Sequence, residues 1–414
     1  MPISNPMNVV DRLRRFQRGV RDMIIRSRKS SGSMYEVSHS TVADTIYKID
    51  TQVDPLLEGF CQEWGRETPL VLIAEGIEDE HGEEAAVTFP RGTREADAEI
   101  RVIIDPIDGT RGIMYDKRAA WALAGVAPNK GPGTRLRDIE IAVMTELPTS
   151  KMGFADVLWA IKGRGAHGVR ESLNPSEVPL EDAVPIGRVL TKMGKVATEQ
   201  VAEALHMQRT KGGLVGQILV GMGVVNESDV QIALAFQKGQ KPDVGGEVAT
   251  AIAGDALSLH SSQAVTINHG FASVSNFFPG TKVLASELME HLVRNLIGEA
   301  DVTKATVFDD QYICTGGQFY ELMIGHDRFN ADLRPTFYRM QGQPEGLCCH
   351  PYDCATMLIA EEAGVILTDE RGDPLDGPLD TTTGLSWTGY ANTELRRKVE
   401  PLVLEFLARA SKKT

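Results

Sequence analysis

Positive charge is scarce in this 414-residue chain: 43 lysines and arginines face 57 aspartates and glutamates, a formal net charge of −14. That balance excludes a polyanion such as nucleic acid, or an anionic membrane surface, as the main partner. Cysteine is scarce as well. The five present (Cys61, Cys314, Cys348, Cys349 and Cys354) are odd in number and contain no Cys-x-x-Cys pair. They exclude a disulfide framework and fit buried thiols in a reducing cytoplasm, the expected location. Long apolar runs are missing: none approaches the roughly 20 residues that cross a bilayer. Met1 to Val10 lacks the basic start and apolar core of a targeting signal.

What is present is an ordinary globular composition, 42% hydrophobic and 24% charged, long enough for two or three domains. The stretch that carries chemistry is Ile103-Ile104-Asp105-Pro106-Ile107-Asp108-Gly109-Thr110. Val102, Ile103 and Ile104 read as a buried strand that stops at two carboxylates, because Pro106 removes a backbone donor and fixes its own φ. Gly109 permits a tight turn that brings its amide and that of Thr110 to the same space as the acids. Two carboxylates and free amides at a strand end suit a hard divalent cation and an anion bridged to it. A bare Asp-x-x-Asp would read as a polar turn; the longer string favours a site.

Asp105–Thr110 resembles the DP(I/L)DGT signature of the inositol monophosphatase family. That family belongs with fructose bisphosphatases and nucleotide 3′-phosphatases in the magnesium-dependent, lithium-sensitive phosphatase superfamily. Far downstream, His350-Pro351-Tyr352-Asp353-Cys354-Ala355 followed by Glu361-Glu362-Ala363-Gly364 is similar to the family's WDxAA…EAGG segment, with Tyr352 in the tryptophan's place. Ala160–Ala166 resembles its A-x-x-G-x-G-A hairpin. The resemblance implies an α+β fold, a layered αβαβα sandwich, and hydrolysis of a phosphate monoester such as an inositol or sugar phosphate. It implies Mg2+ as cofactor, held by Glu75, Asp105, the Ile107 carbonyl, Asp108 and Asp353. Thr110 would orient the attacking water and Asp50 would accept its proton. The Gly109 and Thr110 amides, with Asp353, would bind the substrate. Relatives often form dimers, so a homodimer is compatible with the resemblance.

Two positions depart from the family pattern. Where it has two consecutive glutamates, this chain has Glu75-Gly76, with Glu78 and Glu80 close behind; Glu75 is the expected ligand among the three. Where the family has Asn-Phe shortly after its DGT, this chain has Arg111-Gly112-Ile113. Arg111 either reaches a substrate phosphate or occupies an exposed turn.

The residues between Val184 and Gln240 do not follow that pattern and contain an internal repeat. An offset of 29 residues pairs Gly187 with Gly216, Leu190 with Leu219, Met193 with Met222, Gly194 with Gly223, Val201 with Val230 and Ala204 with Ala233. Each half reads as a short helix, a Met-Gly turn and a second helix. The expected organisation is a phosphatase-like domain in two parts, 1–183 and 241–414, with a small all-helical inserted domain at 184–240. The insert resembles the N-terminal domain of type II secretion and type IV pilus assembly ATPases, some of which bind cyclic di-GMP through paired R-L-G-x-x-L motifs. Pro185 and Leu214 stand where the two arginines would be. An arginine there would stack on a guanine and hydrogen-bond it, which neither replacement does. A protein-docking or spacer role is therefore favoured over cyclic di-GMP.

Other expected elements follow from periodicity. Val9, Leu13, Phe16, Val20 and Ile24 mark an amphipathic first helix with Arg12, Arg15, Arg18 and Arg21 on solvated faces. A second helix lies within Val42–Trp64, and strands are expected at Leu70–Ala74, Trp121–Val126, Ile139–Met144, Val157–Ile161, Val248–Leu259 and Ala264–Val274. Helices are expected at Thr281–Ile297, from near Asp353, and at Leu395–Leu407. A rival reading, motivated by Gly76 and Arg111-Gly112, is a catalytically weak phosphatase fold that binds or regulates through residues 184–240.

Overall fold

The computed structural model of the chain describes residues 3–30, 37–40, 45–47, 53–75, 77, 86–173, 186–192, 194–211, 214–227, 229–230, 233–234, 255–299, 301 and 303–412. It divides into two compact units, one of residues 1–151, 157–168 and 258–414, the other of residues 152–156 and 169–257. Asp50, Glu78 and Glu80, and most of the strand expected over Val248–Leu259, lie outside the described residues.

Five layers build the larger unit. In its first sheet the strands Phe154–Ile161, Ile141–Leu147, Ala120–Pro128, Ile100–Asp108, Leu70–Ala74 and Val87–Phe89 lie side by side in that order. Only the Leu70–Ala74 and Ile100–Asp108 pair is parallel; the rest of these neighbours are antiparallel. All nine residues of Ile100–Asp108 and eight of nine in Ala120–Pro128 are buried, as expected of strands covered on both faces.

One covering layer is the helix pair Pro6–Ser30 and Asp54–Glu67. Val10, Leu13, Phe16, Val20 and Ile24 of the first helix are buried, matching the period in the sequence. Its arginines are not simply solvated. Arg21 is buried, and the Arg12 guanidinium lies 2.5 Å from Glu67 and over the Trp64 ring, because long side chains cover apolar surface with their stems. Pro55 sits in the first turn of the second helix, where its missing N–H costs no bond.

The second sheet has the order Val307–Phe308, Gly270–Val274, Asp327–Asp332, Trp387–Tyr390 and Ile366–Thr368. Helices Lys282–Leu296 and Thr393–Ala410 pack on one face through Leu288, Leu292, Val399, Val403 and Phe406. The Asn392 side chain caps the second of these, accepting from the Leu395 amide at 3.0 Å. Between the sheets lie the helices Thr315–Met323 and Met357–Glu362, whose residues are almost entirely buried. The result is the layered αβαβα sandwich of an α+β protein.

In the smaller unit, helices Ile186–Lys192, Thr198–Lys211 and Val215–Gly221 enclose Val189, Leu190, Ala204, Leu219, Val230 and Ala233. The repeat is visible in its packing. A Cβ on Gly187 would lie 2.5 Å from Val201, and one on Gly216 would lie 2.9 Å from Val230, the paired positions of the two halves. Gly194 and Gly223 both take the left-handed conformation that the Met-Gly turns require.

Candidate active site

The strand Ile100–Asp108 runs through both acids rather than stopping at Pro106. Its register against Ala120–Pro128 shifts between Asp105 and Asp108, so the strand bulges where proline cannot donate. Asp105 and Asp108 are 2% and 6% exposed. The parallel register pairs Ala74 with Ile104, which carries the next residues, Glu75 and Asp105, to the same sheet end. Gly109 then turns the chain at φ 97°, and Thr110–Met114 is one short helical turn. The Thr110 hydroxyl donates to the Ile107 carbonyl at 2.9 Å.

The third acid arrives from far along the chain. Asp353 lies in the turns before helix Met357–Glu362 rather than at the helix start, and its carboxylate accepts from the His350 amide at 2.6 Å. One carboxylate oxygen from each of Asp105, Asp108 and Asp353 lies within 4.8 Å of the other two. This acidic triad could hold a metal ion. Glu75 lines the same cavity but is not one of the three.

The electrostatics follow from burial and mutual repulsion. Burial raises the Asp105 carboxyl well above its ordinary range, and the charges of Glu75, Asp108 and Asp353 raise it further, while the Ile107 amide at 2.9 Å opposes them. Burial also raises Asp108, to about 6. The Gly316 amide, 2.6 Å from its carboxylate, pulls it back down, helped by Cys314 and by the charge of Arg334. Cys314 also donates to the Asp108 carbonyl at 3.1 Å. Crowded, desolvated carboxylates of this kind hold protons until a cation replaces them.

The acids open on a cleft that Glu75 also lines. Ile107, Gly109, Thr110, Arg111, Phe277, Phe278, Arg334, Leu347, Cys348 and Tyr352 line it. Seven of the expected site residues (Glu75, Asp105, Ile107, Asp108, Gly109, Thr110 and Asp353) therefore meet at one place; Asp50, the eighth, lies outside the described residues. Sequence reasoning missed Gly316, Phe277, Phe278 and Arg334. Nothing local marks them: each looks like a turn glycine, a core aromatic or a surface base until the second sheet folds against the first.

No protein-family model matches the sequence, and no curated protein matches it. Solved structures do match. A fructose-1,6-bisphosphatase from Leishmania major in holo form is 12% identical, with a TM-score of 0.57, over 99% of this chain and 96% of that one. The extragenic suppressor protein SuhB from Bartonella henselae is 12% identical, with a TM-score of 0.51, over 96% of this chain and 98% of that one. An IMPase from Thermotoga maritima is 12% identical, with a TM-score of 0.50, over 97% and 99%. The chain shares the layered αβαβα fold of these three structures. Among the described residues no helix is long and apolar enough to cross a membrane.

Proposed function

We propose that this chain hydrolyses a phosphate monoester, with an inositol or sugar phosphate as the substrate class and magnesium as cofactor. The observation that carries the reading is the meeting of Asp105 and Asp108 with Asp353 at the end of one buried strand. The donor set is all oxygen, which suits a hard cation such as magnesium rather than zinc or copper. Asp105, Asp108 and Asp353, with Glu75 and the Ile107 carbonyl, would hold it. When bound, magnesium would supply positive charge for the phosphoryl oxygens and acidify a water.

The protein's own groups do the positioning. The Thr110 hydroxyl has one proton, and it is spent on the Ile107 carbonyl. Its lone pairs can then only accept, which would fix the orientation of a water beside the phosphorus. Asp50 would take that water's proton. The Gly109 and Thr110 amides would cradle the phosphoryl oxygens. No cysteine nucleophile is required: burial pushes the Cys314 and Cys349 thiols well above their ordinary range, so neither supplies a thiolate.

The test is phosphate release from a panel of monoesters with magnesium, each repeated with lithium. Magnesium-dependent, lithium-suppressed release that vanishes in Asp108→Asn is expected. Undiminished release in a folded Asp108→Asn protein would overturn the reading.

A further inference from the structure

Tyr312 joins two distant parts of the chain beside the acids. It is buried, and its hydroxyl serves two groups of one neighbouring strand region. It donates to the Ala119 carbonyl at 3.0 Å and accepts from the Trp121 indole N–H at 3.0 Å. Trp121 is the register partner of Asp108. A Cβ on Gly317 would lie 2.4 Å from the Tyr312 ring, so the ring packs on the first turn of the helix Thr315–Met323. The Arg118 guanidinium lies over the same ring, 3.7 Å from its centre, and donates to Asp310 at 2.5 Å and Glu321 at 3.2 Å.

The residues just after Tyr312 are the ones that hold Asp108. The Gly316 amide donates to Asp108 Oδ2 at 2.6 Å, and the Cys314 thiol donates to the Asp108 carbonyl at 3.1 Å. Cys314 also caps the helix, its sulfur accepting from the Gly317 amide at 3.3 Å. The turn has little slack: a Cβ on Gly316 would lie 2.6 Å from Leu123 and 3.1 Å from Asp108 Oδ2. The carboxylate is thus oriented by a segment 208 positions further along the chain. The Tyr312 hydroxyl, two residues before Cys314, ties that segment to the strand beside Asp108.

We propose that Tyr312 is a positioning residue: its hydroxyl sets the Cys314–Gly316 backbone, and through it the Asp108 carboxylate, so that the acids favour a small octahedral cation over a larger one. The inference rests on the magnesium reading above and deepens it. Magnesium demands near-ideal octahedral geometry at about 2.0–2.1 Å, whereas calcium accepts about six to eight oxygens at about 2.3–2.6 Å in flexible arrangements. A carboxylate turned slightly out of place therefore costs magnesium more than calcium. Outer hydrogen bonds that orient a metal's ligands change its affinity by about 10–100-fold. The path here is short: one hydroxyl, one turn of backbone and one amide on the carboxylate.

The experiment is calorimetric titration of the full chain with magnesium and, separately, with calcium. It compares the parent with Tyr312→Phe, which keeps the ring and removes only the hydroxyl. The ratio of the calcium to the magnesium dissociation constant is expected to fall about fivefold or more in Tyr312→Phe. Gln17→Leu, a buried change outside the cleft, controls for lost stability and is expected to keep the parent's ratio. Arg118→Gln, at a half-buried side chain, is expected to lower the ratio in the same direction by about twofold. An unchanged ratio in folded Tyr312→Phe, with both cations weakened alike or neither affected, would overturn the inference. So would an equal fall in Gln17→Leu. If Tyr312→Phe does not fold, Arg118→Gln decides, and an unchanged ratio there overturns the inference. A parent chain that takes up neither cation would sink the magnesium site and this inference together. No turnover is measured, so a failure of Tyr312 alone leaves the phosphatase reading standing; that reading fails only if no monoester releases phosphate.

Discussion

A Cβ added to Gly125 would lie 2.7 Å from the carbonyl oxygen of Ala355. Gly125 is in the middle of the strand Ala120–Pro128, paired with Ile103 of the acid-bearing strand. Ala355 is two residues beyond Asp353. The absent side chain is what lets the third acid's turn settle against the sheet that carries the other two, and the same Cβ would also press on Ile139. Gly125→Ala is therefore expected to shift the 353–356 turn, lowering stability by about 1–3 kcal/mol, the usual range for overpacking a core. It should also weaken magnesium binding. Denaturant midpoint and calorimetric titration of magnesium check the two parts separately; unchanged magnesium affinity would mean the turn moves without Asp353.

Asp108→Asn should have opposite effects on activity and stability. Without metal, a buried carboxyl raised to about 6 from 3.8 penalises the folded state once it ionises. Asparagine removes that charge while its amide oxygen can still accept from Gly316. The metal-free variant is expected to be more stable than the parent at pH 7 by about 2 kcal/mol, taking each pKa unit as about 1.4 kcal/mol and allowing for partial relaxation. Phosphate release should be lost. Thermal melts in a chelator, beside activity assays, read both.

The same raised carboxyls set a pH dependence. Between the unfolded value near 3.8 and the folded value near 6, the folded protein keeps an Asp108 proton that the unfolded chain has released. The contribution of this group to stability is thus highest below about pH 4, falls as pH rises through that window, and stays low above it. Magnesium affinity runs the other way, because binding must displace the proton. It is expected to rise by about tenfold per pH unit up to pH 6 for each proton displaced. Titrations at pH 5, 6 and 7 in two buffers of different ionisation enthalpy would count those protons directly.

Gln17 makes a structural prediction away from the cavity. Wholly buried on the first helix, it donates to the Val143 carbonyl at 2.9 Å and accepts from the Thr145 hydroxyl at 2.8 Å. Gln17→Leu would leave both strand groups without that partner in the interior, at about 1–3 kcal/mol. A lower urea midpoint with unaltered magnesium affinity is expected. The control is Arg15→Gln, a change on the same helix at a side chain that, among the described residues, bonds to the Asp11 carbonyl at 3.4 Å.

Much of this was legible in the linear chain, and the reasons are local. Asp105-Pro106-Ile107-Asp108-Gly109-Thr110 marks the acids and the glycine turn in consecutive residues, although the strand continues to Asp108 instead of stopping at Pro106. The first helix declared itself by period, as did Thr393–Ala410, although the arginines on the first were assigned to solvent and Arg21 proved buried. Asp353 was found by its surrounding string, while its placement before the helix rather than on it was not. Turn geometry over 350–356 depends on what the backbone packs against, and periodicity carries no such information.

What the amino-acid order determined by itself is which elements exist and which acids are candidates, because strand burial, proline and glycine act on their immediate neighbours. The tertiary structure alone decided that Asp105, Asp108 and Asp353 stand within 4.8 Å of one another and that Arg111 and Arg334 share an aromatic pair. Asp353 is 245 positions beyond Asp108 and Arg334 is 223 beyond Arg111, and only the packing of two sheets around a helical layer brings them into range.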